Sequence, residues 1–178
     1  MTIHFGDSTS IDSGGSLGKV VQIVSAVKTT TASNNVGSRQ TWEYNDSSLM
    51  VTITGASTSN KFLFLGQLTI CGEVACHVGL RDNTNSSNVT GVMATSTSNR
   101  RASTSGNSAA AVDDHSAMTV PVVGLISVPD TNQHQYYFQI SHTSGATREI
   151  VLNGARNSGD NAERGRYTSS LQVMEISG

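Results

Sequence analysis

Residues 14–18, Gly14-Gly15-Ser16-Leu17-Gly18, spell G-x-S-x-G, the pattern of a nucleophilic serine on a sharp turn. That chemistry needs a strand to feed the turn and a helix to leave it, so that the hydroxyl stands exposed. Here a run of small polar residues precedes the serine and a β-branched run follows it, so the segment reads as a linker. Gly18-Lys19 hints at a phosphate loop, but the first required glycine falls on Ser13, and Val20 stands where a hydroxyl would hold magnesium. Asp113-Asp114-His115 offers two carboxylates and an imidazole. Neighbours on a strand point to opposite faces, so at most two of the three converge, and a solvated turn is the better reading. Cys71 and Cys76 form a C-x4-C pair without a second pair of ligands, which disfavours zinc and leaves two strand thiols or a disulfide across a turn. His4, His77, His134 and His142 are scattered and read as surface or satisfied core residues, with His134 and His142 at the two ends of one strand, where they could face a symmetry axis. Glu149, Glu163 and Glu175 show no spacing that pairs two carboxyls across a cleft, as glycoside hydrolysis requires. The reading is therefore non-enzymatic, with no cofactor and no metal.

Whatever these residues do, the elements that position them are short strands in a polar background. Ser, Thr and Asn make up about a third of the 178 residues, while charged residues are only 13%. A typical soluble domain carries about a quarter charged residues. Hydroxyls and amides therefore solubilise this surface in place of charge. The net charge of -2 lacks the basic footprint of a nucleic-acid binder, and Arg100-Arg101 and Arg164/Arg166 are small local spots. No apolar run reaches the length of a membrane span, and the first fifteen residues have neither the basic start nor the apolar core of a signal peptide. The acceptor-like strings at Asn45, Asn85 and Asn88 are accordingly read as chance matches in an Asn- and Ser-rich chain.

Alternation predicts strands over 19–27, 40–44 (with the single tryptophan, Trp42), 49–54, 61–71, 74–80, 118–128, 134–141, 149–152 and 167–176, with a weak one at 89–94. Apolar residues on both faces of 61–71 predict a central strand covered on both sides. Pro121 and Gly124 predict an edge or a bulge in 118–128. No amphipathic helix is evident, and 108–111 holds one turn at most. Eight to ten short strands with turn-rich spacers give an all-β chain, an antiparallel β-sandwich of jelly-roll type spanning 19–178. Residues 1–18 form a polar arm in which Ile3, Phe5 and Ile11 are candidate anchors. The modest hydrophobic content, 36%, suggests that further burial comes from partner subunits.

Four stretches carry a family resemblance: Gly18-Lys19-Val20-Val21-Gln22-Ile23-Val24, Ser59-Asn60-Lys61-Phe62-Leu63-Phe64-Leu65, Asn99-Arg100-Arg101-Ala102-Ser103-Thr104-Ser105-Gly106, and the closing Arg164-Gly165-Arg166-Tyr167-Thr168-Ser169-Ser170-Leu171-Gln172-Val173-Met174-Glu175-Ile176. Together they resemble small tail-fibre-type and other surface structural proteins of tailed bacteriophages, notably those of marine bacteria and cyanobacteria. The resemblance spans most of the chain from Gly18. It implies a sandwich or jelly-roll head, homotrimers, assembly in the host cytoplasm and a place on the virion surface. The arm would then dock on other virion proteins. The polar loops 83–88 and 96–107, with Asn83, Asn85, Asn88, Arg100 and Arg101, would meet a host-surface glycan. Long fibres carry a large N-terminal shaft where this chain has an arm, which fits equally a capsid decoration, cement or head-fibre protein. Cys71 and Cys76 have no counterpart in that pattern.

Overall fold

A computed structural model describes residues 3–4, 10–11, 18–37, 46–94, 103, 105–107, 117–156 and 165–178. The strands run in chain order as β1 (Ile3–His4), β2 (Ser10–Ile11), β3 (Val20–Lys28), β4 (Ala32–Val36), β5 (Val51–Thr54), β6 (Lys61–Gly72), β7 (Cys76–Asp82), β8 (Ser87–Asn88), β9 (Ser105–Asn107), β10 (Met118–Ser127), β11 (Gln133–His142), β12 (Arg148–Leu152) and β13 (Ser169–Ile176). A single 3-10 turn at Ser47–Leu49 precedes β5, capped by the Asp46 side chain. Among the described residues the chain is all-β, with every strand pair antiparallel, and no helix is long and apolar enough to cross a membrane.

β6 organises the larger sheet. Its residues 61–67 pair with β13 on one edge, and residues 61–70 pair with β10 on the other. Beyond the end of β13, the last residues of β6 pair with β12, which in turn pairs with β4. β3 lies outside β13. The smaller sheet runs β5–β11–β7, with β8 and β9 along the far edge of β7. β1 and β2 form a two-stranded sheet of their own, Ile3 opposite Ile11.

The period-2 pattern explains how the two sheets share one core. Leu171 and Val173 of β13, Phe62, Phe64 and Leu68 of β6, and Val120 and Val122 of β10 point inward. They meet Cys76, Val78 and Leu80 of β7, Ile53 of β5, and Tyr136, Phe138 and Ile140 of β11. The aromatic centre is Tyr136, whose ring meets Phe64 edge-on at 4.9 Å and Phe62 at 6.1 Å. Such edge contacts add about 1 kcal/mol each beyond the area they bury. Gly66 on β6 makes room for this packing: a Cβ there would lie 2.9 Å from the Phe138 ring and 3.0 Å from the Ser170 carbonyl.

Three expectations change. The expected strand at 89–94 is a turn: the amides of Val92 and Met93 donate back to the Val89 carbonyl around Gly91 at φ 95. This turn sends Val92 to the core beside Gly124, where a Cβ would lie 2.6 Å from the Val92 side chain. Gly124 therefore answers to packing. The edge expected of this segment holds: β10 pairs with β6 alone among the described strands, through ten consecutive residues with no bulge, and Pro121 sits within that run. β6 is buried on both faces only from Leu68 to Gly72; in its first half Leu63 and Leu65 are half-buried on an outer face that no other described strand covers. Finally, His134 and His142 lie in the interior, 0% and 2% exposed, so neither faces a symmetry axis. Trp42, residues 108–111, Asp113-Asp114-His115 and Ser16 lie outside the described residues.

Candidate functional site

Where β7 ends, the chain turns tightly through residues 83–86 into β8, with Ser86 in the left-handed region at φ 50. Asp82, only 4% exposed, shapes this turn. Its Oδ1 accepts from the amides of Thr84 at 2.9 Å and Asn85 at 3.3 Å. Its Oδ2 accepts from the Asn85 side chain at 2.9 Å and faces Nδ1 of His134 at 2.8 Å. The other ring nitrogen, Nε2, lies 3.0 Å from Oδ1 of Asp130, four residues earlier on the approach to β11. The imidazole stacks parallel to the Tyr136 ring at 5.9 Å.

A histidine with a carboxylate at each nitrogen is held as a double donor, the imidazolium. Burial alone would lower its pKa, but the hydrogen bonds to Asp82 and Asp130 and their charges outweigh burial and raise it above 6.5. Asp130 is pulled down correspondingly, first by the Asn132 amide and then by His134. Neither imidazole nitrogen is free to take a proton from a substrate, so the geometry locks the turn in place.

Beside this lock lies an open cleft of about 290 Å³ between the 82–90 segment, the end of β10 and the start of β11. Its rim is Asn85, Ser87, Asn88, Thr90 and Ser127, its floor is Val89, Ile126, Pro129 and Tyr136, and the one carboxylate in its lining, the buried Asp82, is already taken up by the turn and His134. The Tyr136 hydroxyl is buried without a hydrogen-bond partner. Uncharged hydroxyls and amides over an apolar floor suit a small neutral polyhydroxyl ligand better than an ion.

Of the residues expected to form a recognition surface, Asn85 and Asn88 line this cleft and Asn83 sits in the turn beside it, all exposed. Each also spends side-chain groups internally. Asn83 donates to the Gln135 side chain, Asn85 to Asp82, and Asn88 accepts from Gln139 at 2.6 Å. Arg100 and Arg101 lie outside the described residues, as does Phe5. Ile3 and Ile11 are placed only as partners in the β1–β2 ladder. Asp82, His134, Asp130 and Tyr136 were not singled out from sequence as a group. Their one local signal is the four-residue spacing of Asp130 and His134, since Asp82 is 52 residues away from His134.

The other chemistry-bearing residues are structural. Glu175 is fully buried at the end of β13, where its carboxylate accepts from Ala56 N at 2.8 Å, Asn60 Nδ2 at 2.6 Å and Gln22 Nε2 at 2.5 Å. Burial would raise its pKa, but these donors outweigh burial and hold it below 4.5. Glu149 joins Arg156, Arg148 and Glu73 in a surface ion-pair network. Cys71 and Cys76 are both buried and are not joined in a disulfide, and burial together with Cys71 pushes the Cys76 thiol up to about 12. His142 donates through Nε2 to the Val36 carbonyl and accepts the Ser144 amide at Nδ1. Among the described residues no cluster of three or more His, Cys, Asp or Glu is placed to hold a metal ion. No protein-family model matches this chain, and no curated protein matches its sequence.

Proposed function

We propose that this chain is a non-enzymatic structural subunit on the surface of a tailed-phage particle, a jelly-roll-like head that works as a homotrimer and presents the 83–90 cleft to a host-surface glycan. The observation that carries the reading is the cleft itself. Its rim is neutral and hydrogen-bonding, and its turn is fixed in advance by the buried Asp82–His134 contact. A rim ordered before contact loses little conformational entropy on binding. The jelly-roll reading draws on the chain path, which crosses between sheets from β5 to β6, β6 to β7, β10 to β11 and β11 to β12. The arm, with Ile3, Phe5 and Ile11, would attach the subunit to other virion proteins.

One observation favours the second reading, a capsid decoration or head-fibre protein. All three recognition asparagines are engaged within the subunit, as suits a loop built for rigidity. Binding of the recombinant protein to host cells separates the two. The host-contact reading expects binding that free neutral sugars compete away and that Asn88→Ala with Thr90→Ala weakens at least tenfold. No binding, with the protein at capsid lattice points in imaged particles, leaves the decoration reading. Its absence from purified particles refutes both.

A further inference from the structure

The outer face of the larger sheet is apolar where a solvated sheet face alternates to polar. Register places its residues in rows across four strands. Ile23, Met174, Leu63 and Leu125 stand side by side as direct cross-strand partners. The next row is Ser25, Gln172, Leu65 and Val123, and the next Val27, Ser170, Gln67 and Pro121. Val123 is 66% exposed, Val27 58%, Leu125 53% and Ile23 52%. Val20 and Val21 lie at the β3 end, where the pairing with β13 shifts by one residue, and with them these six residues expose roughly 500 Å² of apolar side chain, near the upper end for the largest patch on a monomer. The outer edge of β3 pairs with no other described strand, and β3 carries no charge before Lys28, so the usual protections of an edge strand are missing beside the patch.

We infer that this face packs against a second copy of the same chain. Size is the first argument. Four strands about 4.8 Å apart, in shared register over about seven residues at about 3.4 Å each, cover roughly 450 Å² in flat projection. That is more than half of the about 800 Å² that a stable interface takes from each partner. The second argument is chemistry. These three rows carry no charge, and the row beyond Ile23, where Lys61 stands between Ile176 and Ser127, adds one, Lys61, held to the Ser127 hydroxyl at 2.9 Å. A partner selected by charge has nothing to read. The polar members are Ser25, Ser170, Gln67 and Gln172, and hydroxyls and amides both donate and accept, so they can pair with their own kind. The third argument is relief. Beside the apolar ridge lies a groove of about 430 Å³ walled by Ser25, Val27, Leu65, Gln67, Ser170 and Gln172. Ridge and groove on one face let identical faces interlock. Identical faces in contact are related by a two-fold axis, so this pairing goes beyond the proposed homotrimer, whose three-fold contacts would join unlike surfaces.

Sedimentation velocity on the full chain at micromolar concentration tests it. The wild type should sediment at a multiple of the monomer mass. Ile23→Lys with Val123→Lys, both at exposed positions, should raise the dissociation constant at least ~100-fold while the circular dichroism stays that of the wild type. A monomeric wild type overturns the inference. An oligomer that survives both lysines overturns the assigned face and leaves the surface-protein reading standing. Should the double variant fail to fold, hydroxyl-radical footprinting of the wild type decides. Met174 and Leu125 should become protected on going from dilute to concentrated protein, and equal labelling at both concentrations refutes the face.

Discussion

Replacing Asp82 should expose how the cleft is held open. Its carboxylate accepts from two backbone amides, the Asn85 side chain and His134, all while buried. Asp82→Ala strands these donors, including one side of a fully buried imidazolium, and removing one partner of a buried ion pair costs about 3–5 kcal/mol. Asp82→Asn keeps an oxygen for the turn amides but loses the charge facing His134, and should cost about 2 kcal/mol, in the range of a hydrogen bond to a charged group. The pH dependence separates the two contributions. The folded pKa of His134 is raised, so its stabilisation is fully present below about 6.5, the unfolded value, and is lost as pH rises through the folded value. Urea unfolding with linear extrapolation, at about pH 6 and about pH 9, reads both. The Asp82→Asn penalty should shrink at the higher pH, whereas the Asp82→Ala penalty should keep its turn component. Equal Asn penalties at the two pH values would refute the imidazolium, and an Ala penalty below about 1 kcal/mol would refute the lock altogether.

Tyr136→Phe removes a buried hydroxyl that has no partner, so stability should be unchanged or rise by about 1 kcal/mol; a loss of that size would mean the hydroxyl is satisfied. Gly66→Ala should destabilise by about 1–3 kcal/mol, because the new methyl meets the Phe138 ring and the Ser170 carbonyl. Thermal melts within error of wild type would contradict that packing. The depressed pKa of Glu175 gives a stability contribution that is present above about 4.5 and lost as pH falls through the folded value, so Glu175→Gln should flatten the acid limb of the stability curve, and an unchanged limb would refute this. Native protein at about pH 8 should resist a thiol reagent and react fully once unfolded, since both cysteines are buried and Cys76 titrates near 12; rapid labelling of the native state would count against the placement.

Alternation made β6, β10, β11 and β13 legible, since their inward residues include Val, Leu, Ile, Phe and Tyr at a spacing of two, and a β-branched run marked β3, whose large apolar residues face outward. β4 was not legible. Its sequence, Ala-Ser-Asn-Asn-Val, has poor strand propensity, and pairing with β12 decides its state. The 89–94 segment misled for a related reason. Val89, Val92 and Met93 are all buried, but at turn spacing, and Gly91 was the signal. Leu63 and Leu65 look from sequence like the second face of a covered strand; they are apolar because the face is apolar, and nothing local distinguishes the two cases. The Asp82–His134 contact joins positions on neighbouring strands, which only the β7–β11 register brings together.

A cryo-electron reconstruction of the assembled protein tests the central claim most directly. It should show a closed oligomer on a particle, with the Ile23–Met174–Leu63–Leu125 row buried between copies and the 83–90 cleft facing outward. An assembly in which that row faces solvent, or in which the cleft is buried against the particle, would contradict the account.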